Sequence, residues 1–273
     1  MFQTIFARVR ERRPLVHCIT NYISANDCAN ILLACGASPV MADAPQEAAE
    51  ITARCAALCL NLGTLSTARA EAMLHSGQTA NRLGLPVVLD PVGAGASSFR
   101  TETALQLLRE VRVTVIRGNP SELHSLALGI ENTGGVDAEA CDRVTEANLA
   151  EAVRFAKDFA RKTGAVVAMT GAIDIVTNGE AAYCIHNGHP LMSAVTGAGC
   201  QLSALTAAFL GANPSAPLPA AASAVCALGL AGETAYPRLS PLDGNASYRN
   251  FIIDATFRLT PEALEQGAKY ELR

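Results

Sequence analysis

The residues best suited to chemistry form the run Thr196-Gly197-Ala198-Gly199-Cys200, which leads from a polar turn into the apolar stretch 201–210. Its two glycines allow a tight bend and a close approach of the backbone to a ligand. The first N–H groups of the following helix have no partner within that helix, and the helix dipole adds positive charge there. The run therefore predicts a binding site for a phosphate or another anion, with Cys200 in the first helical turn. A turn that merely begins a helix has the same pattern, so the prediction depends on what lies nearby.

Polar residues end four apolar runs elsewhere in the chain. Asn61, Asp90, Arg117 and Thr170 each stand at the carboxyl end of a run of strand length, before a glycine-containing turn or a proline. In open parallel sheets, ligands bind at that edge of the sheet. We therefore expect the four side chains to face one cleft.

These residue types suit phosphate and metal chemistry, and each also has a purely structural interpretation. Asp90 offers oxygen ligands to Mg²⁺, but an aspartate here could equally cap the turn. The guanidinium of Arg117 matches phosphate oxygens. Glu122 is a second candidate on the metal side, although a glutamate in a first helical turn is favoured by the dipole alone. Thr170 and the turn after it could hold a nucleotide phosphate, and a plain hairpin turn would look the same.

Two kinds of segment alternate along the chain and must position these residues. Apolar runs of strand length occupy 58–62, 86–90, 113–117 and 165–170. Segments with helical spacing occupy 67–83, 101–110, 121–128 and 146–162. Buried strands joined by helices predict an α/β fold, a three-layer α/β/α sandwich with a mostly parallel central sheet.

The remaining segments complete a single predicted domain over 1–273. Residues 173–178 and 181–185 predict a hairpin at the edge of the sheet, and 199–236 predicts two packed helices. The stretches 129–142 and 237–250 are expected to be long loops within the domain. Few aromatic residues, 5% of the chain, imply an interior of Ala, Leu and Val and close helix packing.

Composition argues against several classes of protein. The net charge is −4 and no Lys/Arg cluster is present, which argues against nucleic acid and anionic membranes as partners. The N-terminus lacks the apolar core of a signal peptide, and no run of 18 apolar residues occurs, so a cytoplasmic protein is expected. The nine cysteines form no C-x-x-C pair and are expected to be mostly buried free thiols. Neither a G-x-x-x-x-G-K-[ST] loop nor a G-x-S-x-G elbow is present.

Six short segments, spread in order over almost the whole chain, carry a more specific signal: His17-Cys18-Ile19-Thr20-Asn21, Gly36-Ala37-Ser38-Pro39-Val40-Met41, Leu62-Gly63-Thr64-Leu65, Asp90-Pro91-Val92-Gly93-Ala94-Gly95, Ile116-Arg117-Gly118-Asn119 and Val195-Thr196-Gly197-Ala198-Gly199-Cys200. Together they resemble the hydroxyethylthiazole kinases, a family of the ribokinase-like superfamily that serves thiamine salvage. The resemblance implies ATP-dependent phosphorylation of the hydroxyl of 4-methyl-5-(2-hydroxyethyl)thiazole with Mg²⁺. It also implies a homotrimer whose active sites lie between subunits.

The resemblance also assigns roles to residues of this chain. It implies that ATP contacts Arg117 and Thr170 and that Asp90 and Glu122 organise the metal and the phosphates. The thiazole pocket would contain Met41, Asn21 and Gly197, although a methionine after a Pro-Val pair is more often a core residue. The catalytic anion hole for the transferred phosphoryl group would comprise Gly197, Ala198, Gly199 and Cys200.

Two positions depart from the pattern of the resemblance. Ala198 stands where members of the family often have threonine, so a hydroxyl contact from that position is absent. Cys200 stands where related sugar kinases have aspartate, a natural general base for the alcohol. Cys200 either accepts the proton of the substrate or only shapes the anion hole. Phosphoryl transfer depends chiefly on positioning and charge stabilisation, so it tolerates a weak base.

Two other kinds of function compete with the kinase. In a hydrolase or acyltransferase, Cys200 would attack a carbonyl, and folding would have to bring His17 or His186 to it. A ribokinase-like dehydratase that repairs a damaged nicotinamide cofactor would use the same fold. The kinase interpretation gives Asp90, Arg117 and Thr170 a role, whereas the hydrolase interpretation gives them none. The five histidines are expected to be structural or to face the solvent.

Overall fold

In the computed structural model, which describes residues 1–131 and 144–273, a nine-stranded sheet lies between two layers of helices. Its strands, in chain order, are β1 (Leu15–Ile19), β2 (Ser38–Val40), β3 (Ala57–Asn61), β4 (Val87–Asp90), β5 (Val115–Gly118), β6 (Val166–Met169), β7 (Asp174–Thr177), β8 (Ala182–Ile185) and β9 (Tyr270–Leu272). The order across the sheet is β2-β1-β3-β4-β5-β6-β7-β8-β9. Strands β1 to β6 are parallel, whereas β7, β8 and β9 pair in antiparallel fashion.

The helices connect these strands and cover both faces of the sheet. They are α1 (Phe2–Arg12), α2 (Ala25–Cys35), α3 (Ala48–Thr52), α4 (Thr67–Arg82), α5 (Ser98–Glu110), α6 (Pro120–Glu131), α7 (Leu149–Thr163), α8 (Ala198–Ala212), α9 (Pro217–Ala235), α10 (Asn245–Arg258) and α11 (Pro261–Gly267). A short 3₁₀ helix, Pro190–Ala194, precedes α8.

Alternate residues of the strands face two separate hydrophobic cores, as the period of a strand requires. In β3, Ala57 and Cys59 face the core that contains helices α1, α2 and α8 to α11. Leu58 and Leu60 of the same strand face the core of helices α3 to α7. The predicted three-layer sandwich with a mostly parallel sheet is therefore confirmed.

The helices α8 and α9 are rich in alanine and pack closely, as the scarcity of aromatic residues predicts. A Cβ atom added to Gly211 in α8 would lie 3.2 Å from the Cβ of Ala57 in β3. The helical stretch Pro217–Arg238 is long and apolar enough to cross a membrane, but 72% of its apolar 18-residue segment is buried within the protein. Its apolar character is therefore accounted for by the core.

The predicted strands and helices are confirmed to within a few residues, with three corrections. The predicted hairpin forms as β7 and β8, but it is not at the sheet edge, because β9 pairs with β8. The loop expected at 237–250 is wrong in its last part, since α10 begins at Asn245, where Tyr248 is buried and donates its hydroxyl to the Gly232 carbonyl at 2.9 Å. The loop expected at 129–142 begins inside α6, and its residues from 132 onward lie outside the described part of the chain.

Candidate active site

The glycine turn predicted from the sequence forms the start of α8. Gly197 has a φ of 80°, and a Cβ there would lie 2.8 Å from the Cβ of Ser24, so both backbone and space require glycine. The N–H of Ala198 reaches the Val195 carbonyl at 3.4 Å. Within the described residues, the N–H groups of Gly199 and Cys200 have no acceptor. These two groups are free to bind an anion.

Asp90 ends β4 and lies fully buried at the centre of the site. Its Oδ2 accepts hydrogen bonds from Asn61 Nδ2 and from the Ser203 hydroxyl, both at 2.7 Å. Its Oδ1 has no hydrogen-bond partner in the described part of the chain, and Arg117 Nη1 lies 3.6 Å away. Burial raises the pKa of Asp90, while Arg117 and the two hydrogen bonds oppose that shift.

Arg117 joins three of the predicted site residues. Its Nη2 donates to the Thr170 hydroxyl at 2.7 Å, and its Nη1 faces Asp90. The guanidinium also lies against the Cα of Gly199, where an added Cβ would be 2.8 Å from Cζ. The cation therefore stands between the carboxyl ends of β4 and β6 and the start of α8.

Cys200 is connected to Asp90 through two amides. Asn21 Nδ2 donates to Cys200 Sγ at 3.1 Å and to Asn61 Oδ1 at 3.0 Å. The backbone N–H and hydroxyl of Ser24 both donate to Asn21 Oδ1, which fixes the orientation of that amide. Asn61 is fixed in the same way, since its Oδ1 also accepts the Gly63 N–H at 3.0 Å. The sulfur of Cys200 is thus an acceptor held in place by Asn21.

Glu122 lies beside this cluster, and its carboxylate braces two loops. Oε1 accepts the Gly93 N–H at 3.0 Å, and Oε2 accepts the Asn119 N–H at 2.9 Å. Asn119 Oδ1 in turn accepts the Glu122 N–H at 2.8 Å. This reciprocal pair is a helix cap. The structural interpretation of Glu122 therefore holds, and its carboxylate retains further acceptor capacity.

The turn after β6 brings in a residue that the sequence did not single out. Asp174 Oδ1 accepts the Gly171 N–H at 2.8 Å, next to Thr170. Burial raises the pKa of Asp174 to about 7, against the lowering effects of that N–H and of Arg117.

Met41 is the one predicted site residue that the structure does not connect to this cluster. It follows β2, a neighbour of β1 in the sheet, and its side chain is 38% exposed. Met41 is therefore not a buried core residue, which was the structural interpretation of a methionine after a Pro-Val pair.

The alternative function, a hydrolase with Cys200 as the nucleophile, would need a histidine beside Cys200 as its general base. His17 is buried, with Nδ1 2.8 Å from the Thr52 hydroxyl and Nε2 2.7 Å from the Ala42 carbonyl, and burial lowers its pKa. His186 lies 3.8 Å from Glu146. Among residues 1–131 and 144–273, no histidine is hydrogen-bonded to Cys200. The hydrogen-bond partner of the Cys200 thiol in the described part of the chain is the amide of Asn21, which is not a base.

The remaining described cysteines are buried free thiols, as predicted, and Cys141 lies outside the described part. Asn61 and Ser203 hold Asp90, yet the sequence assigned neither a role. Asn61 was visible as a polar strand end, whereas Ser203 showed only as a polar residue in an apolar helix.

The fold defines a class of protein, the α/β proteins with the ribokinase-like fold, and the anion site of this chain is built without a P-loop. A solved ribokinase-like superfamily protein from Enterococcus faecalis V583 has this fold, with a TM-score of 0.59 over 96% of this chain and 90% of that chain, at 14% identity.

The comparisons identify the family within that class. A sequence profile of the hydroxyethylthiazole kinase family matches residues 6–262. The hydroxyethylthiazole kinase of Clostridium acetobutylicum is 55% identical over 99% of both chains. The solved hydroxyethylthiazole kinase of Pyrococcus horikoshii OT3 has a TM-score of 0.88 at 38% identity, covering 100% of this chain and 98% of that one. The chain belongs to the hydroxyethylthiazole kinase family.

Proposed function

We propose that this kinase transfers the γ-phosphoryl group of ATP to the hydroxyl of 4-methyl-5-(2-hydroxyethyl)thiazole, a step of thiamine salvage. Membership of the family supports the reaction. The observation that carries the residue assignment is the position of Arg117, which touches Thr170, Asp90 and Gly199 together. A cation in that position faces both a bound nucleotide and the anion site of α8.

In the proposed reaction, Arg117 and Thr170 bind the phosphates of ATP. The hydroxyl oxygen of the substrate bonds to the γ-phosphorus while the bond to the bridging oxygen of ADP breaks. The free N–H groups of Gly199 and Cys200 stabilise the charge on the transferred group. The hydroxyl proton passes to Cys200 or to the phosphoryl oxygens.

The acceptor pocket is proposed to contain Asn21, Met41 and Gly197. These residues lie at the carboxyl ends of β1 and β2 and at the start of α8, and Asn21 holds the sulfur of Cys200. An alcohol bound there would present its hydroxyl beside both Cys200 and the anion site.

Magnesium fits the residues present. Among the described residues, Asp90 Oδ1 is buried without a hydrogen-bond partner, which suits an oxygen ligand for a cation. The described residues hold no set of three protein ligands. Mg²⁺ does not need one, because it binds through one or two carboxylates together with substrate phosphates and water. We assign Asp90 and Glu122 to it, and the ion would neutralise charge on the phosphates.

A homotrimer is proposed, with active sites shared between subunits in the cytoplasm. Tyr22 and Ile23 support it, because they follow Asn21 directly and their side chains are 71% and 68% exposed. Met41, which is assigned to the same pocket, is a further exposed apolar residue. Light scattering should give three times the mass of the chain, and a fully active monomer would contradict the proposal.

The reaction is tested with purified protein, ATP, Mg²⁺ and the thiazole alcohol. Mass spectrometry should detect the phosphorylated thiazole and an equal amount of ADP. The absence of product above a protein-free control would refute the proposed function.

A further inference from the structure

Arg69 lies in the first turn of α4 and connects the loops that follow three neighbouring strands. Its Nε donates to Asp43 Oδ2 at 2.9 Å, after β2. Its Nη1 donates to the carbonyl and hydroxyl oxygens of Thr64, after β3, at 3.1 and 2.9 Å. Its Nη2 donates to the carbonyl of Thr20, after β1. The guanidinium is thus a common brace for three adjacent loops.

The position of Arg69 is unfavourable by local rules. A cation in a first helical turn opposes the helix dipole, and this side chain is only 5% exposed. A buried guanidinium without partners would be costly, so the contacts with Asp43, Thr64 and Thr20 must compensate. A planar fork with several donors can make these contacts together, whereas an ammonium group cannot.

Arg69 also holds a strained residue. Thr64 has a φ of 49°, and a β-branched residue rarely adopts a positive φ unless its surroundings impose it. Its hydroxyl accepts the Tyr22 N–H at 3.3 Å as well as the Arg69 donor. The centroid of the Tyr22 ring lies 4.1 Å from the guanidinium carbon of Arg69.

Each braced residue is close in sequence to the acceptor pocket. Thr20 precedes Asn21, and Asp43 follows Met41 by two residues. Thr64 follows Gly63, where a Cβ would lie 2.8 Å from the Cβ of Asn21. Within the described residues, Arg69 forms no hydrogen bond or ion pair with Asp90, Arg117 or Cys200.

We propose that Arg69 is a positioning residue that builds the acceptor pocket, acting through the loops that carry Asn21 and Met41. The proposal rests on the function proposed above for those two residues. It implies that a change at Arg69 alters binding of the thiazole alcohol and leaves binding of ATP intact.

The test compares Arg69→Lys and Asp43→Asn with the unchanged protein. Arg69→Lys should raise KM for the thiazole alcohol about ten- to a hundredfold, since small displacements of positioned groups have effects of that size. KM for ATP should stay within about twofold. Titration calorimetry with the thiazole alcohol alone should show a matching loss of affinity. Asp43→Asn, which keeps an oxygen acceptor, should shift KM in the same direction by less.

Arg10→Lys is the matched control. Arg10 Nη2 donates to the carbonyls of Phe257 and Leu259, both at 2.9 Å, away from the site. Arg10→Lys should leave the KM values for ATP and for the thiazole alcohol unchanged. If both variants lose thermal stability, the normal KM values of Arg10→Lys show that this loss does not itself change KM.

The outcomes separate the two proposals. If the unchanged protein neither binds nor phosphorylates the thiazole alcohol, the proposed function and the role of Arg69 are both overturned. If it does, an unchanged acceptor KM in folded Arg69→Lys, or equal rises in both KM values, overturns the role of Arg69 alone. Should Arg69→Lys not fold, an unchanged acceptor KM in Asp43→Asn overturns it, because Asp43 is partly exposed and asparagine preserves its shape.

Discussion

In the candidate site, the side after β4 to β6, where ATP is proposed to bind (the donor side), differs from the side after β1 to β3, where the alcohol is proposed to bind (the acceptor side). On the donor side, Asp90 Oδ1 and Arg117 Nε are buried without hydrogen-bond partners in the described part of the chain. On the acceptor side, Asn21 and Asn61 form a connected set of hydrogen bonds. A buried polar atom without a partner is costly. The donor side therefore offers two buried polar atoms to a ligand, whereas the hydrogen bonds of the acceptor side are formed without one.

The largest expected effect is at the junction of the two sides. In Gly199→Ala, the new Cβ would overlap the guanidinium of Arg117 and displace it from the anion site. We expect kcat to fall about a hundred- to a thousandfold, the usual cost of losing a preorganised anion contact. Gly244→Ala is the control, because a Cβ there meets nothing within 4 Å. Near-normal turnover by Gly199→Ala would show that the two sides do not meet at this glycine.

Substitutions at Cys200 test whether this thiol is the general base that accepts the proton of the substrate hydroxyl. Serine can accept the hydrogen bond of Asn21 but does not readily take a proton near neutral pH, so Cys200→Ser should lower kcat about a hundredfold and leave ligand binding nearly intact. Cys200→Asp should retain turnover, because it supplies a carboxylate. Single-turnover kinetics and calorimetry separate chemistry from binding. An Asp variant that is folded, binds ATP and is inert would contradict the geometry proposed for this turn. Much residual activity in Cys200→Ser would instead assign catalysis to the backbone N–H groups.

Arg117→Ala should weaken the donor side selectively. Loss of a charge-assisted contact removes about 1.5 to 3 kcal/mol, which corresponds to about a ten- to a hundredfold fall in kcat/KM for ATP. Calorimetric affinity for the thiazole alcohol should change much less, the reverse of the pattern expected for Arg69→Lys. An unchanged kcat/KM for ATP in the folded variant would show that Arg117 does not contact the phosphates of ATP.

The smallest expected effect is on the pH dependence of the free energy of unfolding, through Asp174 on the donor side. Because the pKa of Asp174 is raised to about 7 in the folded protein, the folded state favours its protonated form. The resulting stabilisation is complete below the ordinary pKa of aspartate and is lost as the pH rises through about 7. Asp174→Asn, which can still accept the Gly171 N–H, should therefore lose less stability between pH 5 and pH 8. Urea unfolding at both pH values measures this, with the exposed Asp254→Asn as control; equal pH dependence in all three proteins would contradict the assignment.

Local signals were sufficient to predict much of the fold. Continuous apolar runs identified β3 to β6, because strands buried on both faces have no polar side to interrupt them. The sequence missed the strand β1, which contains His17, and the three-residue β2. Both depend on neighbours distant in the chain: His17 is tolerated inside because Thr52 and Ala42 hydrogen-bond its ring. The C-terminal β9 forms only because β8 is beside it.

The sequence by itself determined which residue types end the strands, where the glycine turn begins α8 and, through six ordered segments, the family. Only the tertiary structure decided which of these side chains meet. Arg117 and Gly199 are far apart in the chain, and their contact exists because α8 begins at the edge of the sheet where β5 ends. Ser203 and Arg69 had no sequence pattern that gave them a role, since their partners Asp90, Asp43 and Thr20 come from other elements. Hydrogen bonds between distant segments depend on distance and direction in space, and spacing along one chain contains neither.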